Sequence, residues 1–219
     1  RPTKICFTTV INSWARSDEK GAAQRAESFL QQMIERYEAG DADSMPDTSH
    51  FNSVISAFSR SRENGSARKA EALLQTMQDL YRAGHADVSP DTITFNAVID
   101  ALAKNGEARR AEAILQVMQN LRDNGVLDIK LDKISYSTVV SAWARSGEKG
   151  AARRAEVILQ RMHDLYETGN DDMHPNTVTY TSLIDAWAKS GEKGSAQRAE
   201  KILQKMQDMY ENGNVETKP

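Results

Sequence analysis

Five short polar residues recur at one position of a repeating pattern: Thr8, Asn52, Asn96, Ser137 and Thr181. Each directly follows an aromatic residue: Phe7, Phe51, Phe95, Tyr136 and Tyr180. A second column, Asp47, Asp91, Asp132 and Asn176, stands four residues ahead of the last four aromatics. A short side chain that donates and accepts, matched unit by unit with an Asp or Asn, is the chemistry needed to read the edge of an unstacked base. A third column is cationic: Arg16, Arg60, Lys104, Arg145 and Lys189. One positive charge per unit, on the same element as the first column, would track a phosphate chain. Ordinary helix chemistry also accounts for two of these columns, because Asp and Asn cap helix N-termini and cations suit helix C-termini. It does not account for the first. Asn, Ser and Thr are mildly unfavourable inside a helix, and a solvated face would carry Glu, Lys, Arg or Gln.

The elements that hold these columns follow from self-comparison. Phe7-Thr-Thr-Val-Ile, Phe51-Asn-Ser-Val-Ile, Phe95-Asn-Ala-Val-Ile, Tyr136-Ser-Thr-Val-Val and Tyr180-Thr-Ser-Leu-Ile are one segment met five times, spaced 44, 44, 41 and 44 residues apart. A second segment, Arg25-Ala-Glu-Ser-Phe-Leu-Gln-Gln-Met, has copies ending at Met77, Met118, Met162 and Met206. From each Met to the next aromatic is always 18 residues, so the short unit lost its three residues in the turn between segments, at Asn105-Gly106-Glu107. Phe7, Val10, Ile11 and Trp14 make one apolar stripe at helical spacing, and Ala26, Phe29, Leu30, Met33 and Tyr37 make another. Gly40, Gly84, Gly125, Gly169 and Gly213 stand where the second helix should stop. The unit is helix, short turn, longer helix, loop. Neither helix buries its stripe alone, so the units must stack. The expected fold is all-α, an α-solenoid of five helix–turn–helix repeats in a single array over 1–219. The repeats run Lys4–Asp47, Thr48–Asp91, Thr92–Asp132, Lys133–Asn176 and Thr177–Pro219.

Composition narrows the function classes. With 39% hydrophobic and 27% charged residues the chain is not disordered by composition, and five prolines with 6% aromatics argue against a β-sandwich. No apolar run approaches the ~18 residues of a membrane span. The single cysteine, Cys6, excludes an internal disulfide and suits a reducing compartment. A net charge of −3 excludes a bulk polycation that grips nucleic acid by charge alone. Arg1 rather than Met opens the chain, and the expectation is a fragment of a longer protein. No catalytic constellation, metal site or cofactor is expected. His50, His85, His163 and His174 occupy unrelated places in their units and read as surface residues; there is no Cys-x-x-Cys or His-x-Glu, and Asp171-Asp172 falls in a loop. The column Trp14, Phe58, Leu102, Trp143 and Trp187 lies on the apolar stripe and reads as core, as does the methionine column. The Ala-Glu pairs from Ala26-Glu27 to Ala199-Glu200 read as close helix packing plus a solvated acid.

The string Asp91-Thr-Ile-Thr-Phe-Asn-Ala-Val-Ile-Asp-Ala-Leu-Ala-Lys-Asn-Gly, followed by Arg110-Ala-Glu-Ala-Ile-Leu-Gln-Val-Met, resembles the pentatricopeptide repeat, as does Pro175-Asn-Thr-Val-Thr-Tyr-Thr-Ser-Leu-Ile-Asp. The resemblance covers all five units. The units are longer than the family's usual repeat and are similar to those of algal members, with the extra length in the second helix and its loop. The Trp-x2-Leu-Gly-x2-Tyr pattern of tetratricopeptide repeats is absent. The resemblance implies a right-handed superhelix that binds single-stranded RNA, one base per repeat. It makes the two polar columns base-reading residues: Thr8 with Asp47, Asn52 with Asp91, Asn96 with Asp132, Ser137 with Asn176, and Thr181. It makes Ile5, Ser49, Ile93, Ile134 and Val178 base-sandwiching residues, Ser49 departing from the aliphatic norm. Beside these columns, Arg16, Arg60, Lys104, Arg145 and Lys189 are read as phosphate-contacting. In the family's code the chain spells 5′-G-U-U-A-3′ from its N-terminus, then a purine at the fifth repeat. The implied setting is organellar, mitochondrion or plastid, in RNA processing, stability, editing or translation. The implied partners are single-stranded RNA and proteins of an organellar RNA-processing complex. No small-molecule substrate and no membrane are implied, and the chain is expected to be a monomer in isolation. The alternative is a protein-binding helical scaffold. The acidic net charge leans toward it, and the Asn, Ser and Thr column leans against it.

Overall fold

The structure is a computed structural model that describes residues 2–61, 63–211 and 215–218. Ten α-helices and four short 3-10 turns, with no strand, make up the regular structure of the described residues. The helices are α1 Lys4–Arg16, α2 Ala22–Glu38, α3 Thr48–Arg60, α4 Ser66–Arg82, α5 Thr92–Lys104, α6 Ala108–Asp123, α7 Lys133–Ser146, α8 Ala151–Glu167, α9 Thr177–Lys189 and α10 Ser195–Glu211. They alternate between a shorter and a longer helix, as the two apolar stripes require. The chain divides into two compact units, Arg1–Ala101 with Leu121–Ile129, and Leu102–Asn120 with Lys130–Pro219.

In the first unit α1 packs on α2, and α3 packs on α1, α2 and α4. The core between them is Phe7, Ile11, Leu30, Met33, Phe51, Val54, Ile55, Phe58, Leu74 and Met77. Ala26 and Ala70, both fully buried, supply the small contact surface that lets these helices approach. In the second unit α7 packs on α8, and α9 on α7, α8 and α10. Tyr136, Val139, Trp143, Leu159, Met162, Tyr180, Leu183 and Trp187 form its core. The methionine column is core throughout, and of the large-residue column only Trp14 is half-buried rather than buried.

Two glycine positions need the left-handed backbone. Gly21 has φ 80° just ahead of α2, with open space around any added Cβ, so the constraint lies in the backbone. Gly40 has φ 96° and closes α2 in a Schellman turn, with Asp41 N–H donating to the Arg36 carbonyl at 3.0 Å and Gly40 N–H to that of Tyr37 at 2.9 Å. Gly84, Gly125 and Gly169 have positive φ just beyond α4, α6 and α8; Gly213 lies outside the described residues.

The segments expected as plain loops carry 3-10 turns, at Ala42–Ser44, Ala86–Val88, Asp171–Met173 and Val215–Thr217. Each tucks one residue inward: Ser44, Val88, Met173 and Thr217 are buried. Two of these turns also anchor the shorter helix of their own repeat. Thr48 Oγ1 on α3 lies 3.1 and 2.8 Å from the carbonyls of Asp87 and Ser89, and Thr177 on α9 lies 2.9 Å from those of Glu216 and Lys218. None of the described helices is long and apolar enough to cross a membrane.

Along the longer helices, acids meet cations of the following repeat. Glu27 pairs with Lys69 at 3.0 Å, Glu112 with Arg154 at 3.0 Å and Glu156 with Arg198 at 3.1 Å. Glu112 also accepts the indole N–H of Trp143 at 2.9 Å. The acids of the Ala-Glu pairs read as merely solvated from sequence; three of them are partners across the repeat junction.

Candidate nucleic-acid interface

The candidate residues lie on the shorter helices. Three and four residues apart on an α-helix is one face, so Ile5, Thr8, Asn12 and Arg16 share a stripe on α1, and the same registers share one on α3, α7 and α9. The sandwiching positions lead that stripe, in the first turn of each helix. Ile5 is 76% exposed, Ile93 61%, Ile134 58% and Val178 61%, the four most exposed large hydrophobic residues of the described chain. A large aliphatic side chain in water gains nothing from folding, so its recurrence at one register points to a contact made outside the chain. Ser49, the fifth member, is exposed as well.

The first-column residues are half-buried at Thr8, Asn52, Asn96 and Ser137, and exposed at Thr181. Their engagement differs. Asn52 Nδ2 donates to both carboxylate oxygens of Asp91 at 3.1 Å, and its Oδ1 accepts from Thr94 Oγ1 at 2.6 Å. Thr8 Oγ1 lies 2.9 Å from the Lys4 carbonyl and 2.8 Å from His50 Nε2, while His50 Nδ1 lies 2.7 Å from Asp47 Oδ1. Ser137 and Thr181 turn back to their own helices, donating to the carbonyls of Lys133 and Thr177 at 2.6 Å.

The second column caps the helices that follow it. The Asp47, Asp91, Asp132 and Asn176 side chains accept the N–H of His50, Thr94, Ser135 and Thr179, the third residue of each helix. Capping therefore belongs to these residues, and at Asp47 and Asp91 it coexists with a link to the first column. Burial opposes ionisation of Asp47, but the hydrogen bonds from Ser49 and Lys4 and the positive charge of His50 outweigh it and hold the carboxyl well below its ordinary range.

His50, Thr94, Ser135 and Thr179 form a buried column, beside the candidate residues, that sequence reasoning missed. All four are buried. They stand directly before each aromatic and three residues after each Asp or Asn, the spacing of a capping box, and that spacing was the available signal. At Asp47 the side chain accepts the His50 N–H, the first arm of such a box, while His50 Nδ1 turns to the carboxylate. Reading the four histidines as surface residues is corrected here. His50 and His163 are buried, and His85 and His174 half-buried, because each fills a gap between elements. His163 Nε2 meets the Tyr180 hydroxyl at 2.5 Å. Its pKa is pushed down to about 4 by burial and then by the charges of Lys205 and His174.

The basic column ends the shorter helices, and all five residues are exposed. Arg60 also donates to the Ala15 carbonyl at the end of α1, Arg145 to that of Ser141 at 3.1 Å, and Lys189 pairs with Asp185 at 2.6 Å. The helix-terminus role and an outward charge are thus combined. Two hollows show what the columns enclose. Between α1 and α3, Asn12, Arg16, Asn52, Ser56 and Arg60 line one of about 230 Å³. Between α7 and α9, Ser141, Arg145, Val178, Thr181 and Asp185 line one of about 590 Å³. Both join a first-column residue to a basic-column residue on open surface. Among the described residues no cluster of His, Cys, Asp and Glu could hold a metal ion.

Paired helices with one repeated polar face define a helical-repeat protein of the α-solenoid class. Two family profiles match, a PPR repeat over residues 86–119 and a pentatricopeptide repeat domain over residues 165–210. Those two stretches thus carry pentatricopeptide repeats. Its fold is similar to that of the pentatricopeptide repeat protein PPR10 from maize, with a TM-score of 0.70 and 24% identity over 95% of this chain and 25% of that one. It is also similar to PPR10 in complex with an 18-nt psaJ RNA element, with a TM-score of 0.63 and 22% identity over 100% of this chain and 26% of that one. The chain thus spans about a quarter of the length of these structures. No curated protein matches it.

Proposed function

We propose that this chain is a non-catalytic, sequence-selective single-stranded RNA-binding array that reads one base per repeat. The observation that carries this reading is the register of Ile5, Ile93, Ile134 and Val178, each exposed three residues before a short polar side chain. An apolar side chain beside a hydrogen-bonding one fits the two faces of recognition of a splayed base, its flat ring and its polar edge. Thr8 with Asp47, Asn52 with Asp91, Asn96 with Asp132 and Ser137 with Asn176 are the reading pairs, Thr181 reads the fifth base, and the core is 5′-GUUA followed by a purine. Arg16, Arg60, Lys104, Arg145 and Lys189 meet the phosphates. The two pentatricopeptide repeat matches support a role in organellar RNA processing, stability, editing or translation.

The test is a competition in which single-stranded RNAs carrying a 5′-GUUA core displace a labelled copy, against RNAs changed at one core base. Roughly tenfold weaker binding for each changed base is the expected outcome. Equal displacement by all RNAs would overturn base reading, and no RNA binding at all would favour the protein-scaffold alternative.

A further inference from the structure

The first reading pair is built differently from the second. Asp47 Oδ1 accepts from His50 Nδ1 at 2.7 Å, from Ser49 Oγ at 2.6 Å, and from the N–H groups of Ser49 and His50 at 3.0 and 3.4 Å. A carboxylate oxygen has about two lone pairs, so Oδ1 has no acceptor capacity left for a base. Asp47 Oδ2 meets Lys4 Nζ at 3.0 Å. The Thr8 hydroxyl has one proton and two close neighbours, the Lys4 carbonyl and His50 Nε2, so its proton is engaged within the protein and a lone pair is what it offers outward. The Lys4 ammonium uses one of its donors on Asp47 and stays 40% exposed with the others.

Other residues in the Lys4 column lack this arrangement. Thr48 and Thr177 turn to loop carbonyls, and Lys133 pairs with Glu216 at 2.9 Å. In the His50 column, Thr94 and Thr179 are hydroxyls. The first repeat therefore replaces a neutral donor set with a cation held against its own reading acid.

We infer that Lys4 is a base-contacting, specificity-determining residue of the first repeat, fixed in place by Asp47, with His50 positioning Asp47 and Thr8. The base class that suits an ammonium donor beside a lone pair and a carboxylate oxygen is guanine, whose O6 and N7 both accept from a lysine. Asp47 remains ionised because its carboxyl is held below its ordinary range, so the anchor for Lys4 persists. This inference rests on the RNA-reading proposal and assigns the chemistry of its first base.

The experiment compares wild type, Lys4→Thr, Lys4→Arg and His50→Thr. Each is titrated with four RNAs differing only at the first core base and four differing only at the second. Lys4→Thr should lose roughly tenfold in preference for G at the first base and keep its discrimination at the second. Lys4→Arg should retain it, and His50→Thr should weaken the first-base preference alone. Lys4 is a half-buried first-turn residue outside the apolar core, so Lys4→Thr remains informative even if the buried His50→Thr substitution impairs folding. Equal weakening of all four first-base RNAs by Lys4→Thr would make Lys4 a phosphate contact and overturn the inference. Discrimination at the second base that survives in every variant, with first-base preference unmoved, would overturn it while leaving the RNA-reading proposal intact. Wild type that discriminates at neither base would overturn that proposal itself.

Discussion

The second and fourth repeats carry the same columns and use them in opposite ways. In the second, Asn52, Asp91 and Thr94 form one closed hydrogen-bonded set in which every polar atom of Asn52 that can bond to the protein does so. In the fourth, Ser137 bonds its own helix and Asn176 accepts from Thr179 in the turn that it caps. The closed set links the two candidate side chains to each other before any ligand arrives; in the open one each is held separately by its own helix or turn. The contrast extends to the core: the second repeat has Gln78 and Phe95 where the fourth has His163 and the next aromatic Tyr180.

The core difference gives the largest expected effect. Burial favours the neutral imidazole of His163, with Nε2 accepting the Tyr180 hydroxyl proton, and its pKa falls from 6.5 to about 4. The unfolded chain then takes up a proton that the folded chain refuses. Stability present above pH ~6.5 is lost as the pH falls toward 4, by up to about 3 kcal/mol. His163→Gln, which copies Gln78, should flatten the difference between urea unfolding at pH 7 and pH 4.5; an unchanged difference would place the sensitivity elsewhere.

Next comes the exchange of the pairs. Asn52→Ser with Asp91→Asn copies the fourth repeat and should move the second-base preference from U to A. Ser137→Asn with Asn176→Asp should move the fourth from A to U. Each swing should be about 1–3 kcal/mol, read by competition between RNAs differing at that base. A third comparison is thermal. Asp91→Ala removes a cap and leaves the buried Thr94 hydroxyl and the Asn52 amide short of partners, at a cost of about 2 kcal/mol. Asn176→Ala removes a cap alone, about 1 kcal/mol. Equal melting shifts would show that the closed set adds nothing to stability. The smallest effect concerns salt. If all five basic residues meet phosphates, the log–log salt slope of RNA binding is about −3.5. Arg16→Ala should reduce its magnitude by about 0.7, and Lys189→Ala by less, because Asp185 already neutralises Lys189.

Much of this was legible in the sequence because helical periodicity is a one-dimensional signal. Phe7, Ile11, Leu30 and Met33 declare two helices, and five copies declare stacking. The 41-residue spacing located the shortened turn of the third repeat without any structure. The candidate columns were legible for the same reason. What stayed hidden was which partner each polar side chain would choose. His50 looked like an isolated residue because one partner, Thr8, meets it only when α3 packs on α1. Glu27 and Lys69 are 42 residues apart, and nothing local marks them as a pair. His163 resembles any helix residue until Tyr180 arrives with a hydroxyl that needs an acceptor.

The acid–cation contacts along the longer helices have a consequence for how such a chain can change. Glu27, Glu112 and Glu156 each face a cation supplied by the repeat that follows, so one repeat carries an acid for its successor and a base for its predecessor. This is a head-to-tail interface, and a head-to-tail interface has no built-in stopping point. A duplicated repeat would find a matching charge on both sides from its first appearance, and a deleted one would leave its neighbours still complementary. Gene duplication could therefore alter the number of repeats in whole steps without first inventing a new contact.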